Sequence, residues 1–372
     1  MMADHDISTL IEVSRRYGAD ARMVLLGGGN TSWKTDSVMY VKASGHALGT
    51  IGRDGFVAMS MDRLQAIWDK QYPTVPEQRE KQILEDMMES RCAGESGRPS
   101  VEALLHALIP FDYVVHLHPA IVNGLTCGQS GEESMHRLFP DAIWIPLVNP
   151  GYILAKKVKD VMAAYLESHD APPSMIFLQN HGVFVGSDTI EGIDASYDQI
   201  METLAKSLVR KPIFGEVKVD AKRVALVQQA MRSHFKASTD FPIVANREVM
   251  NRLADASSFA SVSSAYTPDH IVYSGFKPLW VSEEVFGAAD PVAAIIASLH
   301  QFEQDYQVPA KVVAIQDTAV FATSEAALLL FLDTVKVAVF TESFGGPRFM
   351  DDDQIEFIRG WEVERYRSKM SG

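Results

Sequence analysis

Three histidines and one glutamate define the chemistry this sequence can do. His116 and His118 stand in Val115-His116-Leu117-His118-Pro119, and His181 lies downstream in Gln179-Asn180-His181-Gly182-Val183. Glu102 belongs to Pro99-Ser100-Val101-Glu102-Ala103-Leu104-Leu105-His106. On a strand, alternate side chains share a face, so His116 and His118 can grip one ion while Leu117 points away. Three neutral imidazoles leave coordination positions open on a divalent cation, which is the inventory of a catalytic metal site. A free carboxylate beside it, Glu102, is the candidate general acid/base.

Each feature has a plainer reading. A chain with eleven histidines can carry a His-x-His pair as two half-buried strand residues. Context favours a site: the pair ends an apolar run, Tyr113-Val114-Val115, and Pro119 then stops the strand. His181 precedes Gly182, where a backbone without Cβ allows close approach. Glu102 could be a carboxylate stabilised by a helix dipole, but its apolar neighbours suit partial burial. His106, four residues on, reads as a packed supporting histidine rather than a fourth ligand.

Small polar residues supply an anion site. Gly27-Gly28-Gly29-Asn30-Thr31-Ser32 lacks the Gly-Lys-Ser/Thr of a phosphate-binding P-loop and the spacing of a dinucleotide fingerprint. Taken alone it reads as a glycine turn. With Ser44 and Gly45 in a second small-residue turn, and Ser100 two residues before Glu102, it also suits a loop that wraps a phosphate.

The elements that must position these groups are legible in outline. Helical periodicity covers residues 6–17, 61–70, 76–91, 99–108, 151–169 and 189–209. Strand patterns cover 38–42, 113–118, 142–147 and 175–185, the last broken at Asn180-His181-Gly182; residues 23–26 form a short apolar run before the glycines. The pattern weakens around 210–219, which sets a boundary between a domain over 1–212 and a smaller α/β domain over 213–372. In the latter, 219–235, 291–306, 326–342 and 353–367 read as helices, and 270–273, 279–281, 311–316 and 320–323 as strands.

The totals narrow the class. The chain has 372 residues, 47% hydrophobic and 22% charged, an ordinary globular balance. A formal net charge of −14 argues against a nucleic-acid or membrane-surface binder. Two cysteines, Cys92 and Cys127, fit a reduced, cytoplasmic setting better than a disulfide framework. The polar N-terminus lacks a signal-peptide core, and no apolar run reaches spanning length.

The order Gly29-Asn30-Thr31-Ser32, Ser44-Gly45, Pro99-Ser100-Val101-Glu102 with His106, His116-Leu117-His118 and Asn180-His181-Gly182 resembles the class II aldolase/adducin family over roughly residues 1–210. The likeness is closest to the aldolase part of rhamnulose-1-phosphate aldolase/alcohol dehydrogenase fusion proteins, and it extends to Thr267-Pro268-Asp269-His270 and the run 310–340. The chain ends where such a fusion would continue into its dehydrogenase domain, so redox activity is not expected. The resemblance implies a three-layer α/β/α domain with a largely antiparallel central sheet, plus the small C-terminal α/β domain. It implies that His116, His118 and His181 bind zinc or a similar divalent metal and that Glu102 is the acid/base. Asn30, Ser44, Gly45 and Ser100 would hold the substrate phosphate. It further implies a homotetramer whose sites are completed by a tyrosine, which matches no particular residue here. The implied reaction is cleavage of a ketose 1-phosphate to dihydroxyacetone phosphate and an aldehyde through a metal-stabilised enediolate. A sugar-phosphate epimerase, a sugar-acid decarboxylase and a catalytically silent adducin-like binding protein are the alternatives on the same scaffold.

Overall fold

A computed structural model describes residues 2–360, with side chains from Ile7 onward. Its backbone contacts divide into two units, one made chiefly of Met1–Thr126 and Ser130–Ser207, the other of Cys127–Gln129 and Leu208–Arg359.

The first unit is built on seven strands: β1 (Asn30–Lys34), β2 (Val38–Lys42), β3 (Phe56–Ser60), β4 (Tyr113–Leu117), β5 (Ile143–Ile145), β6 (Met175–Leu178) and β7 (Gly182–Ser187). Their order is β3-β2-β1-β4-β7-β6-β5. Every pairing is antiparallel except β5 with β6. Helices Met61–Ala66, Pro76–Glu89, Ala103–Leu108 and Tyr152–Leu166 bury Leu64, Ile83, Leu104 and Leu154 in one core with Met39, Val41, Val114 and Phe184 from the sheet. Helices Met2–Gly18, Ala120–Thr126 and Ile190–Ser207 also pack on the sheet. The expected α/β/α layering around a largely antiparallel sheet is present.

The second unit carries a four-stranded sheet of β8 (Ile243–Val244), β9 (Leu279–Val281), β10 (Val312–Ile315) and β11 (Ala319–Ala322), ordered β8-β11-β10-β9. Helices Ala221–Phe235 and Pro291–Tyr306 contribute Val227, Met231, Ile295 and Leu299 to a core with Val313 and Phe321. Among the described residues no helix is long and apolar enough to cross a membrane.

Four expectations change. The strand at the glycine loop is not the apolar run 23–26, which lies in turns, but the polar segment Asn-Thr-Ser-Trp-Lys of β1. Alternation fails there because all five residues are buried and their polar groups bond within the protein. A further strand, β3, completes the sheet edge and has no counterpart in the sequence reading. Residues 270–273 are the end of helix Pro268–Tyr273, not a strand. Thr267 accepts from the His270 N–H and Pro268 occupies the first turn, so a helix-start signature overrides a β-rich composition. Helix Ala103–Leu108 begins later than expected, with Glu102 at its N-cap. The expected helix 353–367 is seen as Asp352–Gly360, and its remainder lies outside the described residues.

Lys34 ends β1 buried, with Nζ donating to the Phe111 carbonyl. Burial lowers its ammonium to about 7, against the opposing fields of Asp112 and Asp188. The unfolded lysine holds its proton up to about 10.5, so above pH 7 the unfolded chain binds more protons and stability rises with pH. Lys34→Met is therefore expected to gain stability relative to wild type at pH 7 and to lose part of that advantage by pH 9. Urea melts at the two pH values check this; a difference independent of pH would discard the lysine as its source.

Candidate metal centre

Two strand pairings assemble the site. In β4, His116 lies opposite Asn30 of β1 on one side and Phe184 of β7 on the other. The three residues form a row across one sheet face. The Phe184 ring stacks on His116 with centroids 3.9 Å apart and planes 10° from parallel. Past the strand end His118 returns to the same side. The turn between β6 and β7 delivers His181, with Asn180 at φ +56° and Gly182 at φ +154°. A Cβ on Gly182 would stand 2.5 Å from the Leu117 carbonyl oxygen and 2.8 Å from the His118 ring. Only glycine permits the turn to close onto β4.

The three imidazoles meet. Ring centroids of His116 lie 4.6 Å from His118 and 5.0 Å from His181, and His118 lies 5.0 Å from His181. One nitrogen from each falls within 4.8 Å of the others. Glu102 Oε1 stands 3.6 Å from His116 Nε2 and 3.7 Å from His181 Nε2.

The donor chemistry fits a divalent cation. His116 Nδ1–H donates to the Val183 carbonyl at 3.0 Å, which leaves the lone pair on Nε2. His118 Nε2 is 2.9 Å from that atom, close to the spacing of two ligands on one ion. Glu102 Oε1 is buried without a hydrogen-bond partner among the described residues. Burial drives the His116 imidazole well below its ordinary value, against the field of Glu102, so it is neutral as a ligand must be. Burial pushes the Glu102 carboxyl up, but the imidazoles of His116 and His181, the Asn30 hydrogen bond and His118 outweigh it and hold it at about 2.

Behind the three imidazoles runs a relay of neutral side chains. Asn30 Nδ2 donates to Glu102 Oε2 at 2.5 Å. His106 Nε2–H donates to Asn30 Oδ1, and His106 Nδ1 accepts from Ser32 Oγ at 2.7 Å. Burial lowers His106 to about 3, so its ring stays uncharged. Helix Ala103–Leu108 lies over β1, where residues 30 and 32 share a face, and this places Glu102 and His106 one helical turn apart above them. His106 is the supporting residue expected from sequence.

Of the phosphate candidates, Asn30 bonds the Glu102 carboxylate and Ser100 its backbone, while Ser44 and Gly45 lie on the neighbouring turn. Ala43 and Pro99 form an antiparallel bridge. It sets Ser44, whose Oγ donates to the Pro99 carbonyl at 3.1 Å, beside Ser100. Gly45 adopts φ +88° in the turn that follows. The Ser100 hydroxyl accepts from the Glu102 N–H at 3.2 Å. Asn30 reaches the site through a side chain already engaged by Glu102 and His106. Phe184 is not singled out in the sequence reading, and Ser32 enters it only as part of the glycine segment, although the i, i+2 spacing of Asn30 and Ser32 is the signal that marks His116 and His118.

A buried sheet face with three converging imidazoles and a carboxylate defines a metal-competent α/β/α protein. The family model described as Class II Aldolase and Adducin N-terminal domain matches residues 8–204, and the chain belongs to this family. The chain is 24% identical over 338 residues to "Uncharacterized oxidoreductase YuxG" of Bacillus subtilis (strain 168), covering 81% of this chain and 46% of that one. It therefore spans less than half the length of this curated relative. Among solved structures, the N-terminal class II aldolase domain of a conserved Thermoplasma acidophilum protein is 27% identical, with 53% of this chain and 91% of that chain covered at a TM-score of 0.46. The L-fuculose-1-phosphate aldolase from Thermus thermophilus is 14% identical, with 53% and 90% covered at a TM-score of 0.33.

Asn30→Ala removes the donor to a buried carboxylate and is expected to cost about 2 kcal/mol, the scale of a hydrogen bond to a charged group. Asn30→Asp, which sets a second carboxylate against Glu102, is expected to cost more. Denaturant unfolding measures both; wild-type stability in Asn30→Ala would show that the relay does not hold Glu102.

Proposed function

We propose that the chain is a metal-dependent aldolase that cleaves a ketose 1-phosphate, of the fuculose or rhamnulose type, to dihydroxyacetone phosphate and an aldehyde. The observation that carries this reading is the unpartnered oxygen of Glu102 facing three converging imidazoles. His116, His118 and His181 are the ligands, with zinc the favoured cation for an all-imidazole set that leaves positions open. When bound, the cation supplies electrophilic stabilisation of negative charge developing on the substrate's ketone and adjacent hydroxyl oxygens.

The chain's own residues do the rest. Glu102 turns Oε1 toward the imidazoles, where the reacting carbon would lie, while Oε2 is fixed by Asn30, so one oxygen is anchored and the other moves the proton. As the carbon–carbon bond breaks, the hydroxyl of the departing carbon loses its proton to the Glu102 carboxylate and becomes the aldehyde, the bond's electron pair stays on the three-carbon fragment, and the same proton delivered from Oε1 to that fragment completes dihydroxyacetone phosphate. Phe184 and the buried strands exclude water behind His116. The turns at Gly27–Asn30 and Ser44–Gly45, with Ser100, anchor the phosphate away from the reacting bond, which orients it. A homotetramer, a cytoplasmic setting with both cysteines free, and a division into a catalytic domain over 1–212 and a C-terminal domain over 213–372 belong to the same reading.

The test is release of dihydroxyacetone phosphate from a panel of deoxyketose 1-phosphates, with and without chelator. Release abolished by chelator and restored by Zn²⁺ is expected. Glu102→Gln is expected to retain metal and lose turnover at least about 100-fold, the lower range for an acid/base residue. Epimerised or decarboxylated product without a three-carbon fragment would reassign the reaction, and chelator-insensitive release would falsify the metal's role.

A further inference from the structure

The second unit holds another cluster of ligand-type side chains. His234 sits in the last turn of helix Ala221–Phe235. Against it, helix Pro291–Tyr306 presents His300 and Glu303, which its pitch places on one face. His234 Nε2 lies 2.9 Å from Glu303 Oε1, and His300 Nδ1 lies 3.7 Å from Glu303 Oε2. The two imidazole centroids are 4.6 Å apart at 63°. One donor atom from each of the three residues falls within 4.8 Å of the others.

An ordinary ion pair explains part of this arrangement. A His234–Glu303 bond needs no second histidine, yet His300 brings its ring to the same carboxylate. Nor does the pair satisfy His234: its side chain is 3% exposed and Nδ1 has no hydrogen-bond partner among the described residues. Exposure rises to 35% at Glu303 and 59% at His300, so the cluster has a buried floor and an open mouth. A cation could enter from solvent and keep water on its remaining positions. Ligand atoms about 2.1 Å from one ion at tetrahedral angles stand about 3.4 Å apart, so the observed spacings need only small side-chain rotations. Two imidazoles and one carboxylate select a borderline-soft transition cation over magnesium or calcium, which prefer oxygen sets.

We propose that His234, His300 and Glu303 form a second transition-metal site that clamps helix Ala221–Phe235 to helix Pro291–Tyr306. It shares no residue with the His116, His118 and His181 centre. The clamp ties the last turn of one helix to the last two turns of the other, in a region whose remaining cross-contacts are apolar side chains of the core between β10, β11 and these helices.

The test uses the untagged full chain, stripped with chelator and dialysed against buffered Zn²⁺, with bound metal counted by atomic spectrometry. Two equivalents are expected in wild type, one in His300→Ala and one in His118→Ala. Melting of wild type is expected to shift upward with Zn²⁺ by more than melting of His300→Ala does. His300 is exposed, so its truncation spares the core, and Glu303→Gln, which keeps the side chain's shape, is the second variant. Equal counts in wild type, His300→Ala and Glu303→Gln overturn the proposal. A single equivalent in wild type that survives His118→Ala and vanishes in His300→Ala supports the clamp while removing the first centre. A single equivalent with the opposite pattern overturns the clamp and leaves the first centre standing.

Discussion

The register between β4 and β7 is the constraint on which the site depends. Pairing His116 with Phe184 and Leu117 with Val183 puts the His116 ring on the face that carries Phe184 and turns Leu117 into the opposite layer, where it is fully buried. A slip of one residue would exchange them and place an imidazole among apolar side chains. The same register brings the β6–β7 turn against the end of β4. His181 therefore reaches His118 without any long-range device beyond two ladders and a glycine. Phe184 then covers the back of His116, which restricts the ring to the orientation fixed by the Val183 carbonyl.

A sheet interior built this way has to accommodate polar groups, and β1 shows how. Thr31 bonds Ser14 on one face at 2.7 Å, while Asn30 and Ser32 bond upward to helix Ala103–Leu108 through Glu102 and His106. Each polar side chain meets a partner, so burial does not carry the penalty of an unmatched donor. The relay is neutral up to its end. Its only formal charge is the Glu102 carboxylate, which lies where the imidazoles converge. The relay behind the site and the cluster of imidazoles and carboxylate are thus electrostatically distinct, though they touch through one amide. Asn30 is that amide, and its two ends cannot be exchanged: Nδ2 must face the carboxylate and Oδ1 the imidazole N–H.

How much of this could be read in advance follows the same physics. The convergence of the histidines was legible because a strand's period of two projects His116 and His118 together, and the glycine after His181 announced a close approach. Glu102 stood out as a carboxylate in an apolar segment. The strand carrying Asn30 was not legible: a buried strand of Asn, Thr, Ser, Trp and Lys has no hydrophobic alternation, and its reason for burial lies in a helix about seventy residues away. Residues 270–273 misled for the converse reason. Ile271, Val272 and Tyr273 have β-type composition, but the cap at Thr267 and the proline after it decide the backbone before packing does.

The two histidine clusters differ in how sequence encodes them, and the difference bears on what each can do. The first is written into a strand and the turns beside it, with His116 in β4 between two ladders, His118 just past its end and His181 in the β6–β7 turn; backbone pairing holds these side chains together, which suits chemistry at a defined atom. The second joins ligands from two helices held by apolar packing. A His-x-x-Glu spacing on an amphipathic helix is common on solvated surfaces, and only the approach of the helix bearing His234 gives it meaning. Ligands on separately packed helices can shift relative to one another as an ion is bound or lost. Such a site is suited to coupling metal occupancy to the stability of its unit, whereas the strand-borne site is suited to holding a reacting group still.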